Sequence, residues 1–210
     1  MTWELEGMKR LTLFLAIQIL IAFSFLNAQS DTSIVPLWSI DSTIVTDVRY
    51  ATTNNFTGKV LYPTDKVYAR KIVAEALSKV HNYLKENHNL RIKIFDGYRP
   101  LSVQKKMWEI YPDDRYVANP ATGSRHNRGA AVDVTIIDSA GVQLDMGTEF
   151  DNFTEKAHPS YTDFPEKVLN NRKLLRNTMM KYGFHPITTE WWHFDFEGWK
   201  RFSILDVEIK

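Results

Sequence analysis

Two short stretches of this chain hold the residue types that bind metals and move protons. The first is Ser124-Arg125-His126-Asn127-Arg128-Gly129-Ala130-Ala131-Val132-Asp133, and the second is Glu190-Trp191-Trp192-His193-Phe194-Asp195-Phe196. The chain has no cysteine, which excludes disulfides, thiol nucleophiles and Cys-based zinc sites, so any metal must rest on His, Asp or Glu. An isolated carboxylate in a strand rich in Val and Ile is costly unless it is paired, hydrogen-bonded or metal-bound, so Asp133 needs a partner. Alternation puts Asp133 on one strand face with Ala131 and Thr135, while Val132, Val134 and Ile136 point the other way. Gly129 permits a sharp turn that folds His126 back over this small, polar face. His126, Asp133 and His193 would then give a zinc ion three protein ligands and leave one position for water, as catalytic sites do. Glu190 beside that water would be its general base. In a helix Glu190 and His193 would share a face and in an ideal strand they would oppose, so a strand here puts Glu190 at its mouth or at a bulge. On spacing alone, a histidine flanked by aromatics is equally a hydrogen-bonded core residue.

The chain has six histidines. His81 and His88, set among Asn, Lys and Glu, read as solvated surface residues. His185, between Phe184 and Pro186, reads as a turn or packing position, and His158 beside Pro159 is left open.

The elements that must position these residues follow from periodicity. Pro63-Thr64-Asp65 introduces a helix with apolar positions Val67, Ile72, Val73, Ala76, Leu77, Val80 and Leu84, ending near Asn87 to Asn89. Leu90, Ile92 and Ile94 alternate with Arg91 and Lys93 as in a half-buried strand that Asp96-Gly97 stops. Pro100 opens a second helix to about Tyr111. Residues 112–128 form a long loop, a length that is usually functional. Ala130 to Ile137 is a buried strand, and Asp138-Ser139-Ala140-Gly141 is a hairpin turn into Val142 to Leu144. Asp145 to Thr162 is irregular. Pro165 opens a last helix whose Val168, Leu174, Leu175 and Met179 face the core, with Gly183 just past its end. Trp191 to Phe196 is a strand. The expected fold is α+β, a single domain with a central, mostly antiparallel sheet and flanking helices.

The chain's 210 residues, 44% hydrophobic and 24% charged, suit one buried core. With 26 Lys+Arg against 25 Asp+Glu, the net charge of +1 gives no bulk attraction to nucleic acid, and a small molecule or peptide is the expected partner. Lys9 and Arg10 precede the apolar run Leu11 to Leu26, which is shorter than the ~20 residues of a spanning helix. This reads as an export leader over residues 1–28 with a cut at Ala28, and Met8 makes a more conventional start than Met1. The mature domain is then 29–210, periplasmic or secreted, with no stable membrane insertion once the leader is removed. The oligomeric state is not legible.

The stretch Ser124-x-His126 with Gly129, Ala131 and Asp133, followed by Glu190-Trp191-Trp192-His193, resembles the zinc D-alanyl-D-alanine dipeptidases of the VanX type. These belong to a group of zinc D-Ala-D-Ala peptidases sharing a fold with the Hedgehog signalling domain. Further blocks match in order: Arg49-Tyr50-Ala51-Thr52 with Asn55-Phe56-Thr57-Gly58, Asp96-Gly97-Tyr98-Arg99-Pro100, and Met146-Gly147 with Phe150-Asp151. The resemblance implies one zinc per chain on His126, Asp133 and His193, with Glu190 as catalytic base. It implies that Arg99 stabilises the oxyanion, that Tyr50 and Asp151 hold the substrate ammonium, and that Ser124 lines the pocket. The segment between Arg99 and His126 is shorter than in resistance-associated members, which bears on substrate range. Hydrolysis of D-Ala-D-Ala in cell-wall peptide metabolism is the implied activity. The rivals are a peptidoglycan D,D-carboxypeptidase or endopeptidase on the same scaffold and a zinc-bearing binding module without turnover.

Overall fold

A computed structural model describes residues 32–210, together with Phe14, Ile17 and Gln18. Apart from those three positions, the leader expected over residues 1–28 lies outside the described residues. In chain order the elements are β1 (Ile34–Pro36), β2 (Val45–Thr46), β3 (Tyr68–Arg70), α1 (Lys71–His88), β4 (Arg91–Asp96), α2 (Leu101–Ile110), β5 (Ala131–Ile137), α3 (Glu166–Lys181), β6 (Phe184–Pro186) and β7 (His193–Phe196). Five strands form the main sheet in the order β2-β4-β5-β7-β6, and β1 pairs with β3 separately. Only β2 and β4 run parallel, so the sheet is mostly antiparallel, as expected. No helix among the described residues is long and apolar enough to cross a membrane.

The central strand is β5, whose seven residues are all buried, which is why its sequence is an almost unbroken apolar run around one carboxylate. Its register decides where the chemistry sits. Asp133 lies opposite Asp96 on β4 and opposite His193 on β7, and a register shift between Ile94 and Asp96 is what brings Asp96 into that row. Residues directly opposite one another in antiparallel strands share a face, so three ionisable side chains line up across the sheet. Behind it, α1 buries Val73, Leu77, Val80 and Leu84 at three-to-four spacing and ends at Asn89, left-handed at φ 55°. Gly129 closes the turn after His126 with φ 65°, a conformation that favours glycine, and a Cβ there would also have to displace the Ile34 Cδ1 methyl, 2.5 Å away.

The structure corrects several expectations. The segment from Pro63 does not open the helix: Tyr68–Arg70 is extended as β3, and α1 begins at Lys71. The hairpin after Asp138 makes a turn and a single bridge, Ile137 to Gln143, but no strand. His185 sits exposed in the short edge strand β6, not in a turn. His88 is exposed as expected, but His81 is fully buried, with Nε2 3.1 Å from Thr43 Oγ1 and Nδ1 without a partner. Its polar neighbours suggested solvent, yet it stands four residues after Leu77 and three before Leu84, on the apolar stripe of α1.

Burial is the main influence on the His81 pKa and lowers it below 6.5, against the charge of Asp41. A histidine buried neutral lends stability that is present above about pH 6.5 and is lost as the pH falls from there toward its depressed folded value. Unfolding of wild type and His81→Leu, followed between pH 8 and 5, should therefore show the wild type losing stability relative to the variant on acidification. A pH-independent difference would contradict the assignment.

Candidate metal centre and its cleft

Asp133 Oδ1 is buried and has no hydrogen-bond partner. It faces His193 Nδ1 at 3.1 Å and His126 Nε2 at 3.5 Å, and the two imidazole nitrogens lie 3.1 Å apart. The far nitrogens fix the roles of the near ones. His126 Nδ1 lies 2.8 Å from the Gly97 carbonyl, and His193 Nε2 lies 2.9 Å from Asp195 Oδ1, so both are donors. The facing nitrogens are then free to offer lone pairs toward a carboxylate oxygen, an arrangement stable only around a cation. Among the described residues these three form the group of His, Asp and Glu side chains able to hold a metal. Tetrahedral zinc with bonds of about 2.0–2.1 Å would need ligand atoms about 3.3 Å apart. The donor set fits that ion.

Without metal, the charge in this row must be balanced by protons. Burial would lower the His193 pKa, but the Asp133 and Asp195 carboxylates against its two ring nitrogens outweigh it and push it up to about 10. Burial raises Asp133, yet His126 and His193 hold it well below the usual carboxylate range. Glu190 stands just outside the trio, Oε2 3.8 Å from His193 Nδ1. Burial, with the Asp133 charge adding to it against His193, raises its carboxyl to about 7. That range suits a group that exchanges protons at neutral pH. Glu190 precedes β7 rather than lying in it, the strand-mouth position expected.

Arg99 is buried beside this row. Its Nε and Nη2 donate to Asp96 Oδ2 at 3.1 and 2.7 Å, and its Nη1 donates to Gln104 Oε1 at 2.9 Å. One hydrogen on each terminal nitrogen remains outside these bonds. Asp96 also accepts from Tyr62 Oη and from the Gly97 amide, both at 2.8 Å. The Arg99 guanidinium lies 5.2 Å from the Tyr50 ring, and Tyr50 Oη donates to Asp151 Oδ1 at 3.1 Å. Asp151 is left-handed at φ 59°, and burial, then the Asp133 charge, raises its carboxyl to about 8 against the Tyr50 hydrogen bond. Ser124 is buried and exchanges bonds with Asn127, its amide to Oδ1 at 2.7 Å and its Oγ accepting from the Asn127 amide at 3.2 Å.

All eight residues singled out from the sequence line one cleft: Tyr50, Arg99, Ser124, His126, Asp133, Asp151, Glu190 and His193. Aromatics wall its mouth, with Tyr116 stacked on Phe153 at 4.5 Å and Phe56 at 5.3 Å from Phe153. The sequence reading missed Asp96, Gln104 and Asp195, which orient the arginine and a histidine. For Asp195 a signal existed, since it lies two residues from His193 and so on the same strand face.

Comparison with known proteins adds to this geometry. Residues 30–202 match the family model described as D-ala-D-ala dipeptidase. The D-alanyl-D-alanine dipeptidase of Escherichia coli is 36% identical over 164 residues, 78% of this chain and 84% of that protein. That of Enterococcus faecalis is 30% identical over 169 residues, 70% of this chain and 83% of that protein. Among solved structures, a mutant of the vancomycin-resistance D,D-pentapeptidase VanY in complex with Zn(II) is 14% identical. It aligns with a TM-score of 0.44 over 66% of this chain and 78% of that one.

Because donor atoms already converge, zinc added to metal-free protein should bind once per chain and raise the melting temperature. At a free concentration a hundredfold above Kd the gain is about 2.7 kcal/mol. His193 surrenders its proton on binding, so titration calorimetry near pH 7.5 should show proton release that varies with buffer ionisation enthalpy. His193→Ala should abolish both; binding retained by that variant would contradict the site.

Proposed function

The chain belongs to the D-Ala-D-Ala dipeptidase family, a metallopeptidase family, and on that premise we propose that it hydrolyses free D,D-dipeptides, D-alanyl-D-alanine first among them, with one zinc ion held by His126, Asp133 and His193. The observation that carries this reading is the convergence of three donor atoms beside a carboxyl that titrates near neutrality. Bound there, zinc supplies Lewis acidity toward the scissile carbonyl and makes a coordinated water acidic enough to attack at neutral pH.

The chain's own residues do the rest. Glu190 takes one proton of the attacking water and delivers it to the departing amine nitrogen, so the peptide C–N bond breaks with the amine leaving uncharged and the water oxygen kept in the new carboxyl group. Arg99, pinned by Asp96 and Gln104, directs its remaining N–H groups toward the oxygen on which negative charge develops, an effect of about 3 kcal/mol in comparable sites. Because its fork is already fixed, little reorganisation accompanies the reaction. Asp151 and Tyr50 hold the substrate ammonium: the buried carboxyl stays near neutrality until a cation arrives, and the ammonium then restores its charge. A site that binds the amino terminus measures the peptide from that end, which favours dipeptides over longer chains. Ser124 contributes to the wall of the same cleft. An exported location, with a role in recovering wall-derived dipeptides, is part of this proposal and rests on the leader sequence alone.

Zinc-loaded protein should release alanine from D-Ala-D-Ala and leave N-acetyl-D-Ala-D-Ala intact. Glu190→Gln should lower kcat by about 10²–10⁴ while retaining zinc. Cleavage of the acetylated substrate would replace this reading with a D,D-carboxypeptidase, and a zinc-loaded, inert wild type would replace it with a binding module.

A further inference from the structure

A free dipeptide carries two charges, and the reading above gives a partner to its ammonium and none to its carboxylate. This inference rests on that reading. Three cationic side chains line the cleft, Arg99, Arg115 and Arg125. Two are already committed. Arg99 is buried against Asp96, which takes two of its donors, while Gln104 takes a third and the reading above assigns the two left to the oxyanion. Arg115 forms a fork-on-fork pair with Asp113, its Nε at 2.9 Å from Oδ1 and its Nη2 at 2.5 Å from Oδ2, out in solvent at 71% exposure.

Arg125 differs from both. Its single ion-pair contact is Nε to Asp195 Oδ2 at 3.3 Å, and the other Asp195 oxygen is engaged by His193. Both terminal nitrogens have no hydrogen-bond partner among the described residues. The guanidinium, on a side chain 46% exposed, lies 4.8 Å from the Trp199 ring centroid, within cation–π range, and this contact and the Asp195 pair limit its freedom. Arg128 and Lys200 lie against the same ring at 5.6 Å each, so further cations stand behind Arg125, outside the lining of the cleft. Arg125 also stands between Ser124 and His126 in the chain, next to the metal centre. An extended dipeptide spans only about 7 Å, so its carboxylate must lie close to the scissile bond.

We propose that Arg125 binds the C-terminal carboxylate of the substrate, its two terminal nitrogens forming a bidentate pair with the carboxylate oxygens while Asp195 and Trp199 hold the fork in place. The dipeptide is thereby recognised at both charged ends, and peptides whose second residue is amidated or extended lose this anchor.

Steady-state hydrolysis of D-alanyl-D-alanine and D-alanyl-D-alaninamide by zinc-loaded wild type, Arg125→Gln, Arg125→Lys and Arg115→Gln tests this, with zinc content measured on every sample. The wild type should prefer the acid by about tenfold or more in kcat/KM, the usual worth of a charge-assisted contact. Arg125→Gln should raise KM for the acid and bring the acid-to-amide ratio close to one, and Arg125→Lys should recover part of it. A merely structural role, acting through Asp195 and His193, would depress both substrates alike and leave the ratio intact. An unchanged ratio in Arg125→Gln, or one lost instead in Arg115→Gln, overturns the assignment. A wild type that cleaves neither substrate overturns the dipeptidase reading and this inference with it.

Discussion

A carboxylate in the middle of a fully buried strand is the constraint around which this molecule is arranged. Asp133 lies on β5, which has no residue open to solvent, and the sheet register sets a second carboxylate, Asp96, directly opposite it. Two like charges in one row of a sheet are untenable without compensation. The fold supplies it differently on each side. Asp96 is met by the guanidinium of Arg99, with Tyr62 and the Gly97 amide completing its bonds. Asp133 is met by two imidazoles that keep donor atoms turned toward it, which is a stable arrangement for a metal or a proton and for little else.

That compensation would be loose if the imidazoles turned freely, and they do not. Each is held from behind, His126 by the Gly97 carbonyl and His193 by Asp195, so their orientation is set before any ligand arrives. The loop carrying His126 is tied to the Arg99 segment by the Arg99 amide donating to the His126 carbonyl at 3.1 Å and by Asn127 Nδ2 donating to the Arg99 carbonyl at 2.9 Å. Arg172 does the same for the irregular region around Asp151. From α3 it donates to the carbonyls of Met146, His158 and Lys156, while the Trp191 amide bonds Ala157, so the strand mouth bearing Glu190 is fastened to that region. Long, irregular segments thus present their functional groups with the precision of regular elements.

How much of this was legible in the sequence depends on whether a feature is local. The α1, α2 and α3 helices, β4 and β5 announce themselves through periodicity and through Pro and Gly at their ends. The strands β1, β2, β3 and β6 are two or three residues long and exist because a distant segment offers hydrogen bonds, so nothing within them could reveal them. β3 was moreover hidden by Pro63-Thr64-Asp65, which resembles a helix cap. His81 was misread because composition was weighed over spacing. In the site, strand alternation and a glycine turn suggest His126 over Asp133, while spacing leaves His193 open between ligand and core residue, and the family resemblance is what joins it to the pair. Asp96 was not, because its place in the row depends on a register shift in β4, and Gln104 acts only through a contact made when α2 packs beside Arg99.

The central claim is that three donors are arranged for one metal ion before it binds, with Glu190 beside them and not among them. A crystal structure of the zinc-loaded protein tests it most directly. The account predicts zinc bound by His126 Nε2, Asp133 Oδ1 and His193 Nδ1 at about 2.0–2.2 Å, a fourth position open to solvent, and the bonds to Gly97 and Asp195 unchanged. Zinc ligated by Glu190 or Asp195, or imidazoles turned away from their Gly97 and Asp195 partners, would contradict it.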